Sequence, residues 1–291
     1  MEIAVIADVH ANFIALQRVA EDLQNWDPDE VIVAGDLVNR GPRPAECLHF
    51  VQEKQRSQGW RVLRGNHEDY VISQAREAAP RQGPHFEVHR ASFWTYQQLG
   101  EDVSALEAMP FQLSLVDPSG GEVRLVHASM RGIRDGIYPE NSDQEICLKM
   151  GIDCLEDPCA VLDPPAPAVF CVGHTHRPLI RQVHDTLVVN AGSAGLPFDR
   201  DIRPAYARLT WQKGGWKAEI VRLDYDLERA ERDFLEAGYL SGGGPLVELV
   251  QVELHEARSM LYNWAVRYQQ LAWNGEISME ESVHRFLQEF S

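Results

Sequence analysis

The chain has 291 residues, 44% of them hydrophobic, which suits one large core and excludes a disordered or fibrous chain. Its 27 basic and 44 acidic side chains give a formal charge of −17, a field that repels long nucleic acid but still permits a small phosphate ester where metal ions offset the charge locally. Residues 1–6 lack the basic start and apolar h-region of a signal peptide, and no stretch reaches about 18 uncharged apolar residues. A cytoplasmic protein without membrane contact is expected.

In chain order, residues 2–7 form an apolar run of the kind found in a strand buried on both faces. Asn12 is placed to cap a helix whose apolar side is Phe13, Leu16, Val19, Ala20 and Leu23. Residues 31–34 read as the next strand, 44–54 as a helix, 61–63 as a third strand, and a helix follows from about Glu68. This βαβαβ alternation implies a largely parallel sheet with right-handed crossovers. Residues from about 85 to 107 read as helical, and residues 111–116 and 123–127 as a strand pair.

A loop-rich segment, 131–167, has the length of a lid or binding insertion. Strands dominate again at 169–172, 179–183, 187–190, 205–211 and 217–223, so two sheets packed face to face with helices outside are expected. From Leu246 to Leu271 apolar residues keep a three-or-four spacing, which predicts one amphipathic helix packed on the core. Residues 225–291 carry 12 acidic and 5 basic side chains, a poor surface for phosphate. The five cysteines, 47, 147, 154, 159 and 171, are odd in number and scattered, which favours reduced thiols.

Four polar clusters each follow an apolar run: Asp8-Val9-His10, Gly35-Asp36, Gly65-Asn66-His67-Glu68 and Gly173-His174-Thr175-His176. Carboxylates, neutral imidazoles and an amide oxygen at strand ends are the donors that a pair of divalent ions needs. In an extended segment residues i and i+2 reach the same side, which would let His174 and His176 serve one site across Thr175. His85 and His89 share helical spacing, but surface histidines are the simpler reading, and Trp94, Tyr96, Tyr138 and Trp211 read as core before base-stacking residues.

With Val126-His127 added, these blocks, in this order, resemble the signature of the calcineurin-like metallophosphoesterase family over residues 1–223. The resemblance implies an α/β fold of two packed mixed β-sheets flanked by helices, a four-layer αββα sandwich. A metallophosphoesterase domain, 1–223, would then precede a C-terminal helical extension, 224–291. It further implies that Asp8, His10, Asp36 and His176 hold one metal, and Asp36, Asn66, His127 and His174 the other, with Asp36 bridging. The two divalent ions would be manganese, iron, zinc or nickel, sharing a hydroxide that attacks phosphorus.

By the same resemblance His67 protonates the leaving oxygen or stabilises the transition state. Asp36-Leu37-Val38-Asn39-Arg40-Gly41 is similar to the Asp-x-x-Asp-Arg-Gly block of serine/threonine phosphatases and bacterial diadenosine tetraphosphatases, which implies that Arg40, with Asn39 beside it, contacts substrate phosphate. Asn39 departs from that block. An amide gives a protonated His67 less support than an aspartate would, so a weaker acid or another carboxylate partner is expected. Asn190-Ala191-Gly192-Ser193-Ala194-Gly195 is similar to a stretch after the double histidine in small bacterial members.

The expected activity is hydrolysis of a small phosphate mono- or diester or a nucleotide-like phosphoanhydride. The alternatives are a serine/threonine-type protein phosphatase and a non-catalytic scaffold of the same fold. The C-terminal helices are a candidate homo-oligomer contact.

Overall fold

The computed structural model describes residues 1–152 and 166–290. Its elements run β1 (Glu2–Ile6), α1 (Phe13–Trp26), β2 (Glu30–Val33), α2 (Pro44–Gln58), β3 (Arg61–Val62), α3 (Asn66–Gln74), α4 (Pro84–Gln98) and the one-turn α5 (Ser104–Glu107). Then follow β4 (Gln112–Val116), β5 (Glu122–Val126), α6 (Asp143–Met150), β6 (Val169–Val172), β7 (Leu179–Val183), β8 (Thr186–Asn190), β9 (Ala205–Gln212) and β10 (Gly215–Arg222). The C-terminal part is helical: α7 (Leu227–Glu236), α8 (Tyr239–Gly242), α9 (Val247–Glu256), α10 (Met260–Trp264), a π-helical turn (Ala265–Gln269), α11 (Gln270–Trp273) and α12 (Met279–Phe290).

The strands make two mixed five-stranded sheets, in the orders β10-β9-β1-β2-β3 and β4-β5-β6-β8-β7. Ile3, Val5 and Ile32 of the first sheet share one buried cluster with Leu115, Leu125, Cys171 and Val189 of the second, so the sheets pack face to face. The opposite face of the first sheet meets Leu16, Val19 and Leu23 of α1 and Val51 of α2. That of the second meets Ile146 and Met150 of α6. Period-two alternation sends alternate side chains of each strand into these two layers, and the αββα order follows. Asn12 caps α1 as expected, accepting the amide of Ala15 at 3.1 Å.

Several expectations need correction. The hairpin β9–β10 joins the N-terminal parallel strands through antiparallel pairing of β9 with β1, which pattern alone does not reveal. The 85–107 stretch is divided: Gly100, with φ +69°, and Glu101, with φ 62°, separate α4 from α5. The 246–271 helix is also interrupted, because left-handed Ala257 (φ 47°) ends α9 and the Glu253 carboxylate then accepts the first amides of α10, from Met260 (2.8 Å) and Leu261 (2.9 Å). Both pieces keep the spacing because both bury one face: Leu246, Leu249, Met260 and Trp264 share a core with Val283 and Phe286 of α12.

Within the 131–167 segment the structure contains α6, while residues 153–165 lie outside the described residues. Cys47 and Cys171 are buried free thiols, but Cys147 is disulfide-bonded, against the expectation of reduced thiols. No helix of the described residues is long and apolar enough to cross a membrane.

Candidate metal centre

Parallel strands of both sheets end at one edge, where the loops that follow them can converge. Asp8 and His10 lie beyond β1, Asp36 beyond β2, His127 beyond β5, and His174 and His176 beyond β6, while Asn66 opens α3. Donor atoms of Asp8, His10, Asp36 and His176 lie within 4.8 Å of one another, and so do those of Asp36, His127 and His174. Asp36 belongs to both groups. Asn66 joins the second, its Oδ1 lying 3.1 Å from His127 Nε2 and 2.7 Å from His174 Nδ1.

The donors face one another more closely than neutral groups would choose. His10 Nε2 and His176 Nε2 are 3.0 Å apart, and His176 Nε2 lies 3.3 Å from Asp8 Oδ1, a buried oxygen without a hydrogen-bond partner. Convergent lone pairs around an orphaned carboxylate oxygen fit a cation. Ring orientation agrees. The Nδ1–H groups of His127 (2.9 Å to Ala34 O), His176 (2.5 Å to Leu196 O) and His10 (3.3 Å to Asn39 O) are turned to backbone carbonyls, which leaves each Nε2 facing the centre.

The backbone is bent to bring these side chains together. Asp8, His10, Ala11, Asp36, Asn39, Arg40, His174 and His176 all have φ between 49° and 68°, a left-handed region that non-glycine residues rarely occupy. His174 and His176 therefore reach their two groups through left-handed bends and not through the extended geometry that the i, i+2 argument assumed. Asn190 fixes that bend by donating to Gly173 O (2.8 Å) and Thr175 Oγ1 (2.9 Å).

Three glycines mark the closest approaches: a Cβ on Gly195 would strike the carbonyl of Val9, one on Gly41 the carbonyl of His10, and one on Gly65 the Asp36 carboxylate. Glu68 is wholly buried and accepts four backbone amides, from Asp36 (2.9 Å), Leu37 (2.8 Å), Val38 (3.1 Å) and Gly65 (2.7 Å). Its place in the block around Asn66 carried no signal of this role, which only the folded loop reveals.

Burial and charge act together in the centre. Burial pushes His10 well below the ordinary histidine value and His174 down to about 4. At His127 burial opposes the charged form, yet the Asp36 carboxylate overcomes it and raises the ring to about 10. Burial, with the nearby Asp36 carboxylate, pushes Glu68 up to about 7, while the amides of Val38 and Gly65 pull the other way.

Residues 1–186 match the model of the calcineurin-like phosphoesterase family. The chain belongs to that family. A metallophosphoesterase from Sphaerobacter thermophilus has the same fold, with a TM-score of 0.64 at 27% identity over 88% of this chain and all of that one. A hypothetical protein from Pyrococcus horikoshii superposes with a TM-score of 0.71 at 20% identity over 89% of this chain and 99% of the other. An uncharacterized protein of Methanocaldococcus jannaschii is 25% identical over 244 residues, 78% of this chain and 89% of its own length. A symmetrical bis(5'-nucleosyl)-tetraphosphatase of Actinobacillus pleuropneumoniae is 34% identical over 71 residues, 24% of this chain and 25% of its own length.

Above the clustered donors of this phosphoesterase opens a cavity of about 870 Å³. Asp36, Asn66, His174 and His176 form its floor, and Tyr239, Val250, Leu261 and Trp273 of the C-terminal helices also line it. His67 and Arg40 both line it.

No carboxylate hydrogen-bonds the His67 ring among the described residues; Asn39 does so instead. The Arg40 amide donates to Asn39 Oδ1 (2.9 Å), which fixes the side-chain orientation, so Nδ2 donates to Ser92 Oγ (3.0 Å) and to His67 Nδ1 (3.1 Å). The ring proton is thereby left on Nε2. Burial, opposed by Asp36, pushes His67 down to about 3.

Arg40 is not a free surface cation: its Nη2 lies 3.3 Å from Glu253 Oε1, and its guanidinium stands 5.5 Å from the Phe198 ring centre. Of the aromatic residues weighed for stacking, Trp94 is buried against Tyr239 and Trp211 packs on Trp216, whereas Tyr138 borders the cavity. His85 stacks on Trp273 and His89 lies beside Tyr70, apart from both candidate donor groups.

Proposed function

We propose that this phosphoesterase hydrolyses a small phosphate mono- or diester or a nucleotide-like phosphoanhydride at a centre of two divalent ions. The observation that carries the reading is the pair of donor groups that share Asp36 at the floor of a cavity. Asp8, His10, Asp36 and His176 would hold one ion, and Asp36, Asn66, His127 and His174 the other. Such ions, when bound, lower the pKa of a water molecule and offset the charge of the phosphoryl oxygens.

The chain's own residues supply orientation and exclusion. Carbonyl acceptors hold three imidazoles with Nε2 inward, Arg40 places a planar fork over the floor, and His67 keeps a proton on Nε2 to offer to a phosphoryl or leaving oxygen. The C-terminal helices add apolar lining to the cavity beside the donors, and its volume suits a small ester. The likeness of the matched 71 residues to tetraphosphatases favours a nucleotide-like anhydride among the substrates to be tried.

Purified protein should retain two divalent ions per chain and cleave a generic aryl phosphate, and Asp36→Asn should lower both metal content and rate. A folded, metal-free preparation with full activity overturns the reading. Assaying aryl esters and dinucleoside polyphosphates with manganese, iron, zinc and nickel ranks the substrates.

A further inference from the structure

The arginine of the site is held by a residue from the far end of the chain, 213 positions away. Glu253 of α9 is wholly buried, and one oxygen, Oε1, accepts the amides of Met260 and Leu261 as well as Arg40 Nη2. The backbone amides fix the carboxylate, so it forms a rigid anchor independent of the arginine. The other side of the guanidinium rests near Phe198, whose ring is stacked on His176 at 4.2 Å with an interplanar angle of 13°. The arginine is thus referenced both to the C-terminal helices and to a candidate metal ligand. Its own backbone is left-handed, with φ 67°.

The anchor leaves donors to spare. Arg40 Nε is buried without a hydrogen-bond partner, as is the hydroxyl of Tyr239, another residue lining the cavity. A guanidinium tied back at one nitrogen and lining a cavity floored by metal-ligand types is arranged to turn its remaining donors to a phosphoryl oxygen. A buried arginine–glutamate pair is weak evidence for stability in its own right, because desolvation offsets the attraction, so its place at the cavity needs another reason.

We propose that Glu253 is a positioning residue for Arg40, so that the C-terminal helices are part of the phosphate-binding site of this enzyme. The proposal rests on the reading that the cavity takes a phosphate ester. Glu253 sets the direction of the fork, and Arg40 makes the contact. Without the carboxylate, the long arginine side chain regains rotamers that point away from the floor, and the ordering must then be supplied on binding.

Glu253→Gln is the suitable perturbation, because the amide oxygen still accepts from Met260 and Leu261 while the charge that holds Arg40 is lost. Calorimetric titration of the metal-loaded protein with inorganic phosphate should show a Kd raised about 5- to 20-fold in Glu253→Gln. The KM for an aryl phosphate should rise in parallel while kcat changes little. In an Arg40→Ala background the same substitution should change neither value by more than about twofold, since a positioning effect needs the residue positioned.

An unchanged or lowered Kd in Glu253→Gln, or an equal loss with and without Arg40, overturns the proposal and leaves Glu253 as a helix cap alone. Wild-type protein that cleaves aryl phosphate but shows no coupling refutes only the role of Glu253. Loaded wild-type protein that neither binds phosphate nor cleaves the ester refutes the reading of the cavity, and this inference with it.

Discussion

Glu68 offers the sharpest test of how the centre is built. Its two oxygens serve separate pairs of amides: Oε1 takes Leu37 and Val38, and Oε2 takes Asp36 and Gly65. Glu68→Gln preserves shape but turns one oxygen into an amino group, so two of the four buried N–H groups would face a donor. Each buried amide left without an acceptor costs about 1–3 kcal/mol, which gives an expected loss of about 2–6 kcal/mol. For a chain of this size that corresponds to a fall in Tm of roughly 4–20 °C. The measurement is thermal unfolding of chelator-treated protein by circular dichroism, so that metal binding does not mask the effect, followed by metal content after reloading. Retention of metal should fall too, because the Asp36 loop loses its tether. A Tm within about 2 °C of wild type would show that the four contacts do not hold the loop and would refute the reasoning.

Two further outcomes follow from the same geometry. With Asp36 raising His127 to about 10 against the opposing effect of burial, its contribution to the stability of the chelator-treated protein is complete below about pH 6.5 and is lost as pH rises through about 10. The Tm of that protein should therefore fall across this window, and His127→Gln should flatten the profile; an unaltered slope in the variant would remove His127 as its source. Phe286 is wholly buried among the C-terminal helices, so Phe286→Ala should cost about 3–5 kcal/mol and speed amide hydrogen exchange in residues 247–290, and unchanged protection there would mean that the cluster does not hold these helices.

The sheets and most helices were readable because burial on two faces leaves continuous apolar runs and burial on one leaves a 3.6-residue period. The blocks around Asp8, Asp36, Asn66 and His174 stand out because each follows such a run closely, so the strand fixes where the loop begins, whereas the inclusion of His127 and the division into two donor groups rest on the resemblance to the family. Other features depend on contacts far apart in sequence. The break at Ala257 keeps the apolar spacing on both sides, and its cause is a carboxylate seven residues before Met260 folding back onto the amides of α10. Arg40 could be marked as a phosphate contact from its distance to Asp36, but its anchor, Glu253, lies 213 residues on in a segment whose overall charge suggests nothing of the kind. Likewise, the missing aspartate at position 39 was visible, whereas the reversed hydrogen bond that results, with Asn39 donating to His67 Nδ1, required the amide to be oriented by the Arg40 backbone.

The backbone strain and the electrostatics of the centre have one physical explanation. Non-glycine residues in the left-handed region typically cost about 1–3 kcal/mol each and persist only where the surroundings over-determine them. Here Glu68 ties the Asp36 loop, Asn190 ties the His174 bend, and Ser193 Oγ donates to the carbonyl of Asp8 at 2.7 Å, each from a buried side chain. These tethers hold the donors in place although the His10 and His176 nitrogens stand 3.0 Å apart and Asp8 Oδ1 is unpaired. A cation bound among these donors would relieve that electrostatic conflict. The folding energy of two sheets is thus applied to keep a set of donors that would otherwise separate, and substitutions in the tethers should weaken metal retention as effectively as substitutions in the donors themselves.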